Sequence, residues 1–458
     1  MLDTGDTAWM LASSALVLLM TPGLALFYGG MVRSKTVLNM MMMSISALGL
    51  VGVLWVLYGY SVAFGNDVGG GLLGNPAEYA GLRGLFGGTY LATEGGPPVA
   101  VPLVGTIPAT VFVAFQAMFA VITVALISGA VADRMRFGPW LLFAGLWATI
   151  VYFPVAHWVF AFNGVTAETG GWIANNLKAI DFAGGTAVHI NAGAAGLALA
   201  LVLGKRRGWP REPMRPHNLT LVMIGAGLLW FGWFGFNAGS AVASNGVAGI
   251  TFINTFVATG AAMLAWLLTE RIRDGKPTSL GAASGLVAGL VAITPSCSSV
   301  SPLGAIAVGA IAGVLCALAV GLKFRFGYDD SLDVVGVHLV GGLTGTLLVG
   351  FFATTAAPAG VNGLFYGGGV DQLWRQAVGA AAVLVFSFVM SLILAFIVKA
   401  IMGLRVTDEE EATGVDETEH AETAYDFSTL HGIGGIGTPR PSAATNAAAE
   451  HVTAGKES

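Results

Sequence analysis

Eleven apolar stretches of about twenty residues each leave this chain few folds to choose from. They run at 9–31, 37–64, 102–131, 138–160, 181–203, 218–240, 251–269, 281–297, 302–322, 332–356 and 372–402. A helix rises 1.5 Å per residue, so about 20 apolar residues cross a hydrocarbon core about 30 Å thick. Only 10% of the chain is charged, against about 25% in soluble domains. The expectation is an all-α polytopic membrane protein with eleven transmembrane helices, its main partner the lipid bilayer. The regions 218–269 and 281–322 admit other divisions. No nucleic-acid partner is expected.

Lys and Arg concentrate in cytoplasmic loops of membrane proteins. Of the 21 here, all but Arg83, Lys178 and Arg375 fall on alternate loops or beyond the last span. That places the N-terminus outside and the C-terminus inside, as an odd number of spans requires. The start, MLDTGDTAW, is acidic and lacks the basic region of a cleaved signal peptide. The first span is therefore expected to be retained. The transmembrane domain is expected to end near residue 402. Residues 403–458 form an acidic cytoplasmic tail, rich in Asp and Glu at first and in Gly, Ala, Ser and Thr later. The later part has too few apolar side chains to pack, and disorder is expected there. The earlier part is expected to be solvated or to dock onto the basic loops. Cys297 and Cys316 have no metal or redox spacing and read as small core residues.

The chain also carries its own repeat. VHINAGAAG at 188–196 returns as VHLVGGLTG at 337–345, after 149 residues. Each copy follows acidic residues: Asp181 in the first, Asp330 and Asp333 in the second. The copies lie in the fifth and tenth spans, five apart, and so point in opposite directions. This is the pattern of two inverted five-helix halves, spans 1–5 and 6–10, with a site near the midplane. The eleventh span braces the bundle from outside the repeat. On this scheme His189 lies eight residues from Asp181, about 12 Å along a helix. His338 lies five residues past Asp333. Gly193, Gly196, Gly341, Gly342 and Gly345 allow close helix approach, which would bring the two imidazoles together.

Ionisable groups inside a bilayer are costly and mark transport paths. Burial favours the neutral ring, which both donates and accepts a hydrogen bond. Such a pair suits ammonia or water better than a metal ion. A metal site needs three or four ligands, and no third His, Cys or carboxylate has the spacing; HExxH is absent too. An outer vestibule is expected from the aromatic residues Phe115 and Phe119, Trp158 and Phe160, and Trp233 and Phe236. With the Ser240 hydroxyl they could hold a small cation by cation–π attraction, about 2 kcal/mol or more when desolvated.

These residues carry a resemblance. FYGGMVRSKTVLNMMM, the segment 115–137, DFAGGTAVHINAGAAG, WFGFNAGSA, DVVGVH and GLRVTDEEEATGVDETEHAETAY are similar to motifs of the ammonium transporter (Amt/Mep/Rh) family, most closely its bacterial branch. The resemblance runs from about Leu11 to Tyr425. It implies a homotrimer in a bacterial inner membrane, without cofactor or enzymatic activity, with one pore per subunit. It implies that His189 and His338 pair in the pore, that Phe119 and Phe236 form a gate above them, and that Phe115, Phe119 and Ser240 recruit ammonium or methylammonium outside. Phe160 stands where the family usually has Trp at that site, so cation affinity is expected to be lower. Asp181 matches a structural support, and Trp233 matches the pore wall. Ammonium would lose its proton near the gate and cross as ammonia. If the proton takes a separate route, transport is electrogenic. The tail resembles the segment with which a PII-type signalling protein regulates the inner mouth. Two other readings stay open: an ammonium sensor or receptor, and an Rh-like neutral gas channel.

Overall fold

In the computed structural model, ten helices among the described residues (1–87 and 101–425) are long and apolar enough to cross a membrane. We number the long helices in chain order. They are α1 (Thr4–Met31), α2 (Val37–Phe64), α3 (Ala109–Val131), α4 (Phe137–Phe160), α5 (Gly185–Leu203), α6 (Leu219–Ala241), α7 (Gly246–Arg273), α9 (Pro302–Phe326), α10 (Val335–Phe352) and α11 (Asp371–Met402). Between α7 and α9 lies α8 (Ser279–Ile293), a shorter apolar helix. Its 15 residues span about 22 Å, less than a full hydrocarbon core. The apolar run continues to 297, but Pro295 cannot extend the helix, and 294–299 folds into turns.

Three further boundaries shift. The run expected from residue 102 begins as a small hairpin, Leu103–Val104 against Ile107–Pro108. Pro108 caps α3, which starts only at Ala109. The runs expected from 181 and 332 also start late, at Gly185 and Val335. Residues 181–184 are not helical; they curl back so that Asp181 caps the helix that follows. The expected 12 Å of helix between Asp181 and His189 is therefore absent. His189 and His338 instead sit in the first turns of α5 and α10. Both first turns are π-helical, Gly185–Ile190 and Val335–Leu339, a local widening often found at functional sites.

The helices pack as the internal repeat demands. α1 lies along α6, α5 touches the first turn of α10, and α11 packs along both α5 and α10. The two repeated helices cross at symmetry-related glycines. A Cβ on Gly193 would lie 2.5 Å from the Leu339 nitrogen, and one on Gly342 would lie 3.1 Å from the His189 Cβ. These glycines are themselves 149 residues apart, like the histidines. Only glycine permits such close backbone approach. The other glycines of the motif serve different contacts: Gly341 and Gly345 face Val291 and Ala292 of α8, and Gly196 faces Ala130.

The basic ends of the helices gather a buried ionic cluster. Arg206 donates to both oxygens of Asp329, each at 2.9 Å, and to Asp133 at 3.0 Å. Burial alone would raise the Asp133 carboxyl, but Arg206 and Arg33 outweigh it and hold it below the usual carboxylate range. The acidic tail docks here rather than remaining solvated. It forms α12 (Asp408–Thr413), opened by a Thr407–Glu410 capping box, and α13 (Val415–His420). Glu411 is fully buried and accepts from Arg405 at 2.7 Å and from the Arg207 N–H at 2.8 Å. Asp416 accepts from the Leu38 and Asn39 N–H groups at the start of α2. Glu419 accepts from the Phe137 N–H at the start of α4. The tail thus places carboxylates on two helix N-termini, where negative charge is favoured. The disorder expected late in the tail concerns residues 426–458, which lie outside the described residues.

Candidate functional site

The site is a column of rings running from a cavity at one end of the helices to the crossing of α5 and α10. The cavity has a volume of about 330 Å³. Its wall includes Phe112, Gln116 and Phe119 of α3, Phe160 of α4, and Ser240 at the end of α6. Ser240 donates to the Phe236 carbonyl at 2.8 Å, which leaves its oxygen lone pairs free to accept from a cation.

Below the cavity, Phe119 stacks on Phe236 with ring centroids 4.1 Å apart and planes 18° from parallel. Such a contact contributes about 0.5–1.5 kcal/mol beyond burial, so it closes the column without locking it. Phe236 then meets His189 at 6.2 Å between centroids. His189 lies flat on Trp233, 5.4 Å away and 18° from parallel. The next ring is His338, with centroids 5.4 Å apart and planes 23° from parallel. The two Nδ1 atoms approach to 3.3 Å. Two neutral imidazoles bond this way only if one Nδ1 donates and the other accepts. A second cavity, lined by His189, His338, Trp233, Phe236 and apolar side chains, adjoins the pair. Its volume is about 10 Å³, near the least that holds one water.

Two supports stand behind the column. Trp233 Nε1 donates to Thr294 Oγ1 at 2.9 Å. Asp181 accepts from the N–H groups of Gly184 at 2.9 Å, Gly185 at 2.5 Å, Thr186 at 2.8 Å and Ala187 at 3.1 Å, and also from the Thr186 hydroxyl. It therefore satisfies the orphan donors at the head of α5 and does not touch the column. At the other copy Asp330, not Asp333, does this work. It accepts from Val334 at 3.1 Å and Val335 at 2.7 Å. Asp333 instead pairs with Lys323 at 2.6 Å. The 149-residue interval applied to Asp181 lands on Asp330, so the signal was present in the sequence.

The structure thus brings His189, His338, Phe119, Phe236 and Trp233 into one column, and Phe119, Phe160 and Ser240 into the cavity wall. Phe115 is set apart. It is fully buried, 4.9 Å from Phe119 between centroids, and packed against Gly239 rather than in that wall. Trp158 is also outside that wall, donating to the Leu72 carbonyl at 2.8 Å and packing on Phe386. Helical spacing alone missed Phe112, Gln116 and Thr294.

Comparison with known proteins follows the same outline. The family model "Ammonium Transporter Family" matches residues 8–425. An ammonium transporter of Mycobacterium tuberculosis is 71% identical over 439 residues, which cover 94% of this chain and 92% of that protein. One from Bacillus subtilis is 49% identical, covering 93% and 100%. The crystal structure of Saccharomyces cerevisiae Mep2 superposes with a TM-score of 0.78 at 34% identity, covering 89% and 88%. A protein described as a sensor Amt protein superposes at 0.80 with 28% identity, covering 91% and 98%. With its repeat, its paired histidines and these similarities, the chain belongs to the ammonium transporter family.

Proposed function

We propose that this chain takes up ammonium and methylammonium, with the substrate crossing as ammonia past His189 and His338. The observation that carries the reading is the unbroken ring column, which links an aromatic, hydroxyl-bearing cavity to a histidine pair too confined for a hydrated ion. Phe119, Phe160 and Ser240 recruit the cation at the mouth, and Phe115 supports Phe119 from behind. Moving a bare ion into a low-dielectric interior costs on the order of 20 kcal/mol in the idealised limit. The column has few oxygen atoms to replace hydration. An ammonium ion escapes that cost by leaving its proton behind, and the neutral molecule then donates to and accepts from the imidazoles in turn. Potassium has no such option. The Phe119–Phe236 stack opens for passage, and Asp181 and Trp233 hold the first histidine in place.

The same reading takes α8 as a span, giving eleven, with the N-terminus outside a bacterial inner membrane. Residues 1–402 form the transport domain and 403–458 a regulatory tail. Three copies assemble as a trimer. The docked acidic tail and the basic helix ends support binding of a PII-type protein at the inner mouth.

Growth of cells lacking other ammonium carriers on limiting ammonium tests the reading. Rescue by this chain is expected. Failure of rescue by correctly inserted protein that still binds ammonium overturns it and favours the sensor reading, which the likeness to the sensor Amt protein brings forward. An ammonium jump on a solid-supported membrane then reads the charge carried. Current is expected if the proton follows by a separate route, and a neutral gas channel gives none.

A further inference from the structure

The eleventh helix lies outside the repeat, yet one of its side chains reaches both repeated arms. Gln376 of α11 is fully buried. Its Oε1 accepts from the Ile180 N–H at 2.6 Å and from Gln372 Nε2 at 2.9 Å. Its Nε2 donates to the Ile180 carbonyl at 2.7 Å and to the Thr346 carbonyl at 3.1 Å. A primary amide offers two donors and an acceptor with two lone pairs, so this one is fully used. Both backbone polar groups of Ile180 are bonded to it. One turn earlier, Gln372 adds a longer contact to the Lys178 carbonyl at 3.4 Å. One turn later, Gly379 leaves room for Ala179, whose Cβ would lie 3.3 Å from a Cβ placed there.

The clamped groups matter because of their neighbours. Ile180 immediately precedes Asp181, whose carboxylate caps α5 four residues before Gly185 and eight before His189. Thr346 lies on α10, eight residues past His338. Residues 178–184 are non-helical and cannot fix their own position by a helical ladder. A buried amide without partners is costly, so a fully satisfied one implies a set geometry.

We propose that Gln376 is a positioning residue for transport: it fixes segment 178–181, and with it the Asp181 cap and the His189 ring, relative to the helix carrying His338. The inference rests on the transport reading above. It makes the eleventh helix part of the site's alignment rather than a passive brace.

The test compares Gln376→Met, which keeps the volume and removes the amide, with Ser391→Ala. Ser391 is buried on the same helix and accepts from Trp147 Nε1, but it does not touch 178–181. Both variants and the parent protein are placed in vesicles. Methylammonium flux and hydrogen exchange at residues 180–187 are then measured. A misplacement near 1 Å can reduce rate by about 100-fold. Gln376→Met is expected to cut flux at least about tenfold and to speed exchange in that segment by a similar factor. Ser391→Ala is expected to change either by less than about twofold. Gln376→Glu supplies a second readout. Its introduced carboxyl can donate only when protonated, so flux relative to parent rises as pH falls, whereas any residual flux of Gln376→Met keeps a constant ratio. Equal effects of Gln376→Met and Ser391→Ala, or a flat ratio for Gln376→Glu, overturn the inference. If the parent carries no flux, the transport reading fails separately, and the exchange measurement still decides whether the clamp exists.

Discussion

Gly193→Ala is the sharpest test of how closely the two repeated helices must approach. The new Cβ would lie 2.5 Å from the Leu339 nitrogen and 2.6 Å from its Cβ. Ordinary contact begins near 3.4 Å, so the backbones must separate by roughly 0.9 Å there, since packed interiors have little slack. If half of that reaches the imidazoles, their 3.3 Å contact opens to roughly 3.8 Å, beyond hydrogen-bond range. Overpacking of this kind costs about 1–3 kcal/mol of stability. The misplacement is expected to lower methylammonium flux by about 10- to 100-fold. Gly342→Ala is the graded control, because its nearest neighbours lie at 3.0–3.1 Å and need yield only a few tenths of an ångström. It is expected to show less than half of that effect on a logarithmic scale. Gly249→Ala meets nothing within 4 Å and is expected to be neutral. The assay is labelled-methylammonium uptake into vesicles, normalised to inserted protein, with thermal midpoints measured in detergent. Uptake by Gly193→Ala equal to the parent would refute the reasoning, and so would a reversed order of the two crossing glycines.

Restoring the family's usual residue with Phe160→Trp should tighten apparent methylammonium affinity by about two- to fivefold, the worth of a modest gain in cation–π attraction, as read from competition of ammonium with labelled uptake. Glu411→Ala removes the buried carboxylate from Arg405 and Arg33. It should release the tail at a cost of about 2 kcal/mol, since leaving charges unpaired is destabilising but both arginines are partly exposed; limited proteolysis after residue 403 should quicken accordingly. The lowered Asp133 carboxyl contributes stability that is present above its ordinary value of 3.8 and lost as pH falls through the lowered one. The thermal midpoint should therefore hold from pH 8 to about 5 and drop below about 4, and Asp133→Asn should flatten part of that drop.

Several of these sites could be read from the chain, and others could not. Apolar length located the spans because a bilayer imposes one simple demand, and it failed where Pro295, Pro108 and the segments capped by Asp181 and Asp330 cut helices short. The histidine pair was legible because the chain states it twice, 149 residues apart. The cavity wall was only half legible. α3 is buried on most of its surface, so helical spacing does not say which aromatic faces the cavity, and Phe115 and Phe119 part company there. Gln376, Thr294 and the carboxylates capping α2 and α4 were hidden for a different reason. Each is a polar side chain meeting a backbone group or side chain far away in sequence, and no local pattern records the encounter.

The central claim is that the substrate passes the two imidazoles. Labelled-methylammonium flux in vesicles, parent against the double variant His189→Ala, His338→Ala, addresses it most directly. Saturable uptake by the parent that ammonium competes away, and its loss in the double variant, is the predicted result. Undiminished uptake without either histidine would contradict it.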